Sequence, residues 1–168
     1  MLHPAIEARS FGTIHRTGLV ATRKIAAGTV VWELDEPTYT MEQIRAWPEA
    51  RRRAFKWYGF QCGHDRYSLP EGLSRDVNHS CDPNTWWVNN HALAARRDIE
   101  ADEEVTYDYA TCDIDLAFSM KCSCGAADCR GVITNRDYLD LGWQKRYGAH
   151  LPEHVLAAIA ASRARDAS

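Results

Sequence analysis

The stretch "RDVNHSCDPNTWW" (Arg75–Trp87) decides how the rest of this chain is read. Asn78, His79, Ser80 and Cys81 stand together, then Asp82-Pro83-Asn84, then Thr85, Trp86 and Trp87. Three chemistries fit such a string: a cysteine nucleophile beside its base, a metal ligand among neighbours, or a polar turn entering a strand. A Cys/His dyad needs side chains that meet, and positions 79 and 81 fall on one side of an extended segment. No glycine pattern of an oxyanion hole accompanies them, so the metal and turn readings lead.

The remaining cysteines favour the metal. Cys122, Cys124 and Cys129 form "CSCGAADC", a C-x-C-x4-C cluster in which Gly125 allows the tight turn. Thiolates about 2.3 Å from a zinc ion must converge tetrahedrally, and a short loop can present three of them. A structural site needs a fourth ligand. Cys81 is the first choice, with Cys62 and Cys112 as competitors that otherwise read as buried core thiols.

Bulk composition narrows the class. At 168 residues the chain is long enough to bury a core without disulfides, and its 45% hydrophobic and 26% charged residues are those of a soluble globular domain. A net charge of -3 argues against direct nucleic-acid binding. No apolar run approaches the roughly 18 residues of a membrane span, and "MLHPAIEARSFG" lacks a secretory layout. The expectation is an intracellular, soluble protein of the cytoplasm, nucleoid or nucleus, with a secreted effector left open, whose cysteines serve metal or chemistry rather than disulfides.

Strands are predicted at "HRTGLVAT", "TVVWELD", "TWWVNN", "HALAARR" and "EVTYDY". Two segments share a pattern, "RKIAAGTVV" (Arg23–Val31) and "RDIEADEEV" (Arg97–Val105), each read as a hairpin-like turn with Gly28 or Asp102 in the left-handed conformation. Thr40 and Gln43 have capping-box spacing before a helix that presents Met41, Ile44 and Trp47 on one face and is interrupted at Pro48. "LPEHVLAAIAASRARDAS" reads as a C-terminal helix with Pro152 in its first position and Val155, Leu156 and Ile159 inward. Many short strands and few helices predict a β-rich α+β fold.

Four segments taken in order, "HRTGLVATRKIAAGTVV", "RDVNHSCDPN", "EEVTYDY" and "CSCGAADCRG", make the sequence resemble the SET-domain protein-lysine methyltransferases that carry a post-SET zinc motif. Together they span most of Ile14 to Ile133. The resemblance implies a fold of small sheets in which the "NHSC" and "TYDY" segments cross in a knot-like threading, with a short helical insert and a C-terminal helix. It divides the chain into a SET domain (1–119, insert about 40–60), a post-SET zinc loop (120–134) and a helical tail (135–168).

It also implies S-adenosylmethionine as cofactor, contacted by Arg16, Thr17, Gly18 and Leu19, by Arg75, and by Asn78 and His79. The family's Gly-x-Gly is Arg16-Thr17-Gly18 here. Tyr109 is implied as the catalytic tyrosine and a further cofactor contact. Methyl transfer needs an in-line approach of a neutral amine, so alignment within a tyrosine-walled channel supplies much of the rate. Tyr107 stands where the family has Phe or Tyr, which implies mono- or dimethylation over trimethylation. By the same resemblance Cys81 joins Cys122, Cys124 and Cys129 around one structural zinc. Aliphatic Val132 and Ile133 replace the aromatic often found after the last cysteine, so the channel wall is expected to be completed elsewhere.

The implied partner is a Lys/Arg-rich or histone-like protein substrate; the sequence sets no oligomeric state. The seven acidic residues between Glu100 and Asp115, with no Lys or Arg among them, suit either a solvated edge or a negative rim for a basic peptide. The basic, aromatic stretch "EARRRAFKWYGF" suits an acidic partner. Two other readings compete: a non-catalytic SET-like zinc-containing binding module, and a purely structural zinc domain. The joint presence of Gly18, Asn78, His79 and Tyr109 weighs against both.

Overall fold

The computed structural model describes residues 1–10 and 17–166. Strands β1 (Ile6–Arg9) and β2 (Gly18–Ala21) pair antiparallel. A second sheet has the order β3 (Val30–Glu33), β9 (Ala92–Ala95), β8 (Thr85–Trp87). A third places β4 (Thr38–Tyr39), β6 (Arg66–Ser68) and β5 (Phe60–Gly63) side by side in that order. β7 (Asn78–His79) runs parallel to β10 (Thr106–Tyr107), and β11 (Ser119–Lys121) antiparallel to β12 (Val132–Thr134). The expected β-rich α+β architecture of small sheets is what the chain adopts.

The largest core packs between these sheets. Trp32, Phe60 and Trp87 meet edge-on or tilted at 5.7–6.2 Å, with Leu93, Ile99 and Val105 around them. Each strand supplies only a few positions, so bulky aromatics from three different strands do most of the filling. Cys62 and Cys112 are buried in this cluster, as read from the sequence.

The insert has the predicted break. Thr40 caps α1 (Met41–Arg45) through a reciprocal capping box with Gln43, and Pro48 separates it from α2 (Glu49–Tyr58). Ile44, Phe55 and Tyr67 form a small core there, with Met41 and Trp47 against it. The C-terminal helix α4 (Glu153–Asp166) begins one residue later than expected: the Pro152 carbonyl accepts its first bonds from Val155 and Leu156. A further helix, α3 (Leu141–Tyr147), was not anticipated; Asp140 caps it by accepting from Trp143 N–H. Its Trp143 and Tyr147 pack with Leu151, Val155 and Ile159 into a separate core. No helix among the described residues is long and apolar enough to cross a membrane.

The two repeated turns differ from the hairpins expected. Gly28 (φ 81°) and Asp102 (φ 65°) do hold the left-handed conformation. The strands flanking each turn, however, pair elsewhere: β2 with β1, and β3 with β9. The turn segments instead bond to each other, Ile25 and Ile99 exchanging N–H···O bonds of 2.9 Å. A local pattern repeated twice had a long-range partner in its own copy.

Candidate active site

β7 and β10 bring the two polar motifs together. Their parallel register sets Thr106 beside Asn78 and Tyr107 beside His79. Tyr109 is not on the strand, as alternation suggested, but opens a short 3-10 turn, Tyr109–Thr111. Its ring still lies 4.9 Å from that of Tyr107. The Tyr109 hydroxyl donates to the Val77 carbonyl at 2.9 Å, and its N–H donates to His79 Nδ1 at 3.2 Å. Burial pushes both tyrosine hydroxyls above their ordinary range, so they are neutral phenols.

A cavity of about 1110 Å³ opens beside these rings. Tyr107, Tyr109, Thr17, Arg75 and Asn78 all line it. Asn78 Nδ2 donates to the Thr17 carbonyl (2.9 Å) and to Glu104 (2.7 Å), which joins the start of β2 to the motif. Arg75 stands at the exposed mouth, its guanidinium 5.3 Å from the Tyr58 ring centroid and 3.8 Å from Asp76. Leu116, Phe118 and Met120, ahead of the last cysteine, line the cavity too, while Ile133 is buried and Val132 exposed.

Other predicted site residues sit differently. Gly18 is buried and opens β2, opposite Arg9. The Leu19 side chain is fully buried in the sheet core, and its carbonyl accepts from Val105 N–H at 2.7 Å. His79 turns its ring inward, Nε2 lying 3.4 Å from Cys81 Sγ. With Nδ1 accepting from Tyr109, Nε2 carries the proton, and burial lowers the imidazole pKa to about 4. Arg16 lies outside the described residues.

The four cysteines converge. The sulfurs of Cys81, Cys122, Cys124 and Cys129 all lie within 4.8 Å of one another, and Cys81 Sγ is 3.8 Å from Cys122 Sγ. Zinc–sulfur bonds of about 2.3 Å in a tetrahedron require sulfurs roughly 3.8 Å apart. Gly125 (φ 77°) makes the turn between them. Main-chain N–H groups already point at the sulfurs: Cys81 N at Cys124 (3.4 Å) and Arg130 N at Cys81 (3.5 Å). Burial pushes Cys81 up to about 12. Burial also acts on Cys124, but N–H groups of Cys81 and Ala126 and the neighbouring thiols outweigh it and bring that thiol down to about 6. The donor set and its spacing fit a tetrahedral thiolate-bound metal.

Sequence reasoning missed the residue that ties these parts together. Asp108, between the two tyrosines, is 1% exposed. It accepts a bidentate pair from Arg130 (2.6 and 2.7 Å), a bond from Trp143 Nε1 (3.1 Å) and one from the Tyr147 hydroxyl (2.8 Å). Burial disfavours the Arg130 charge, yet the pairing with Asp108 raises its pKa overall. Arg146 adds a bond to the Cys81 carbonyl at 2.7 Å and pairs with Asp128. The tyrosine motif, the cysteine loop and α3 are thus held by one buried carboxylate and two arginines. The only signal in the sequence was an Asp placed between the two tyrosines of the motif.

Every member of the acidic run Glu100–Asp115 has a partner. Glu100 pairs with Lys24, Asp102 with Arg9, Glu103 with Arg97 and Asn84, and Glu104 with Asn78. Asp108 is spent on Arg130, and Asp113 and Asp115 accept from the Gln61 N–H and side-chain amide.

Residues 16–110 match the family described as SET domain. A histone-lysine N-methyltransferase, H3 lysine-36 specific, from Yarrowia lipolytica is 35% identical over 129 residues, 69% of this chain and 16% of that protein. The H3 lysine-4 specific enzyme of Saccharomyces cerevisiae is 32% identical over 149 residues, 77% of this chain and 13% of its own. The chain therefore spans less than a fifth of the length of these relatives. Among solved structures, the methyltransferase domain of human histone-lysine N-methyltransferase SETMAR superposes with a TM-score of 0.57 at 21% identity, over 78% of this chain and 57% of that one. KRYPTONITE in complex with mCHG DNA and SAH gives 0.59 at 20% identity, over 76% and 28%. These likenesses agree with the fold described.

Proposed function

We propose that this chain, which belongs to the SET-domain family, transfers methyl groups from S-adenosylmethionine to the ε-amine of a lysine in a histone-like protein. One observation carries the reading: Thr17, Arg75 and Asn78 share a cavity wall with Tyr107 and Tyr109. Residues of the implied cofactor site and of the implied lysine channel thus open on one space. The histone-lysine relatives support the acceptor class, and the SAH in a neighbour's structure supports the cofactor.

Bound S-adenosylmethionine supplies a methyl group on a sulfonium. Around it we assign Arg16, Thr17, Gly18, Leu19, Arg75, Asn78, His79 and Tyr109, with main chain serving at Gly18, Leu19 and His79, whose side chains are absent or turned inward. Asn78 offers both a donor and an acceptor, and Arg75 a cation for a carboxylate. Tyr109 and Tyr107 are assigned as the catalytic pair. Their neutral phenols wall a narrow passage, exclude water and orient the amine nitrogen. The Tyr107 hydroxyl takes room beside the nitrogen, which limits the product to mono- or dimethyl-lysine.

Cys81, Cys122, Cys124 and Cys129 would hold one zinc ion, which pins the loop beside the tyrosines and takes no part in the chemistry. The division into a SET domain (1–119), a post-SET loop (120–134) and a helical tail (135–168) belongs to the same reading.

The test is label transfer from S-adenosylmethionine to core histones by the full chain. Label on lysine, reduced by about a hundredfold in Tyr109→Phe, is expected; equal transfer by both proteins, or none by the wild type, would overturn the reading. Mass spectrometry should find mono- and dimethyl-lysine, abundant trimethyl-lysine being the contrary result. Metal analysis should give one zinc per chain, lost in Cys124→Ser.

A further inference from the structure

The helical insert carries five cations, Arg45, Arg51, Arg52, Arg53 and Lys56. They divide by what they touch. Arg51 lies 4.0 Å from the Trp47 ring centroid and donates to the Tyr39 hydroxyl at 3.1 Å. Arg53 pairs with Glu49 one turn away. Both are used within the insert.

Among the described residues, Arg45, Arg52 and Lys56 have no such ring or carboxylate partner. All three are exposed, and all three line the cavity shared by Tyr107 and Tyr109. The spacing of four sets Arg52 and Lys56 on one face of α2. Arg52 donates to the Arg45 carbonyl at 3.0 Å, which brings the end of α1 against that face. Among the described residues none of the three has a carboxylate within ion-pair distance, whereas Arg53, which does not line the cavity, does.

The cavity supplies little to balance them. Of its two lining carboxylates, Asp76 faces Arg75 at 3.8 Å. Asp113 accepts from Gln61 N–H, and burial raises its pKa to about 7. The acidic run that could have made a negative rim is paired off, at the surface with Lys24, Arg9 and Arg97 and in the interior with Arg130 and Gln61. The mouth is left with three uncompensated cations around an apolar interior that includes Phe55, Phe60 and Trp87.

We propose that this mouth receives an acidic polypeptide segment, so that the acceptor lysine lies in a sequence carrying Asp or Glu on the side that meets α2. The inference rests on the lysine-methylation reading and narrows its histone-like acceptor to a lysine with an acidic neighbour on that one side, whatever the charge of the protein as a whole. Charge complementarity selects an anion. Three cations clustered at the opening of a cavity with aromatic walls suit peptide side chains, and a chain of net charge -3 lacks the extended basic stripe that tracks a phosphate backbone.

The test uses the full chain and three fluorescent peptides with one central lysine and acidic, neutral or basic flanks, their binding followed by anisotropy. The acidic peptide should bind about tenfold tighter than the basic one, with the gap shrinking as salt is raised. Arg45→Glu/Lys56→Glu should reverse the order, and Arg165→Glu, at an exposed cation of α4 that does not line the cavity, should keep it. Equal binding of all three peptides by the wild type, or a preference for the basic one, would overturn the proposal without any variant. So would a short DNA duplex that binds more tightly than the acidic peptide and displaces it. Acidic-peptide binding without methyl transfer would uphold the surface and count against the enzymatic reading instead.

Discussion

The sheet core around Leu93 and the polar cluster around Asp108 lie in the same molecule and hold their neighbours by different means. In the first, Trp32, Phe60 and Trp87 interlock with aliphatic side chains, and no contact is indispensable. In the second, a single buried carboxylate accepts four bonds from Arg130, Trp143 and Tyr147 and leaves the guanidinium with few alternatives. Dispersion and burial are summed over many small contacts, so a missing group is felt as a cavity. A buried ion pair is less forgiving, because removing one member strands the other.

Substitution on each side exposes the contrast. Asp108→Ala is expected to cost about 3 kcal/mol, since Arg130 would keep only Asp137, at 3.1 Å, as a counter-charge and Trp143 and Tyr147 would lose their buried acceptor. Leu93→Ala should cost about 2–4 kcal/mol through the cavity it leaves. Urea unfolding gives both numbers, and thiol labelling separates the regions. Asp108→Ala should speed modification of Cys122, Cys124 and Cys129, and Leu93→Ala should leave those rates unchanged. Equal labelling rates in the two variants would mean that Asp108 does not anchor the cysteine loop.

The same contrast explains what could be read from the sequence. The strands showed because branched and aromatic residues recur locally, and α1 showed because Thr40 and Gln43 stand at capping distance. Counting the ligands a metal needs called for a fourth cysteine, and the family resemblance pointed to Cys81, more than forty residues from the loop, over Cys62 and Cys112. The role of Asp108 had no such handle: its donors lie 22, 35 and 39 positions downstream, in segments with no shared period. Helix α3 was hidden for a related reason. At seven residues, with Gly142 inside it, its propensity is weak, and packing of Trp143 and Tyr147 against the cluster supplies its stability. The turns were found by their left-handed residues, but their pairing through Ile25 and Ile99 is a tertiary contact that no local rule contains.

Titration offers a second way to separate the regions, with opposite signs. His79, in the polar cluster, has its folded-state pKa lowered by burial from 6.5 to about 4. Its contribution is complete above pH 6.5 and is lost as pH falls toward 4, because the unfolded chain takes up the proton first. Asp113, in the cavity wall, has its pKa raised by burial from 3.8 to about 7. There the fold keeps a proton that the unfolded chain releases, so stability is complete below pH 3.8 and is lost as pH rises toward 7. Between pH 4 and 6.5 the two oppose each other. Asp113→Asn retains an oxygen for Gln61 N–H and removes one side of this balance. Relative to wild type, stability should then climb with pH by about 1 kcal/mol per unit over that window. Parallel pH profiles for the two proteins would show that Asp113 does not carry the opposing slope.

The smallest effect separates the two turns. Gly28, at φ 81°, has open space where a Cβ would stand, so Gly28→Ala meets no clash and costs only the left-handed conformation, about 1 kcal/mol. Asp102 already holds φ 65° with a side chain in place, and its carboxylate pairs with Arg9 at the surface. Asp102→Gly therefore relieves a conformational cost while giving up an exposed ion pair and adding freedom to the unfolded chain. The unfolding midpoint should stay where it is. Because Ile25 and Ile99 bond the two turns to each other, loosening one is felt by its partner. Gly28→Ala is accordingly expected to speed amide exchange at Ile99 as well as at Ile25, whereas acceleration at Ile25 alone would show that each turn stands independently of the bridge between them.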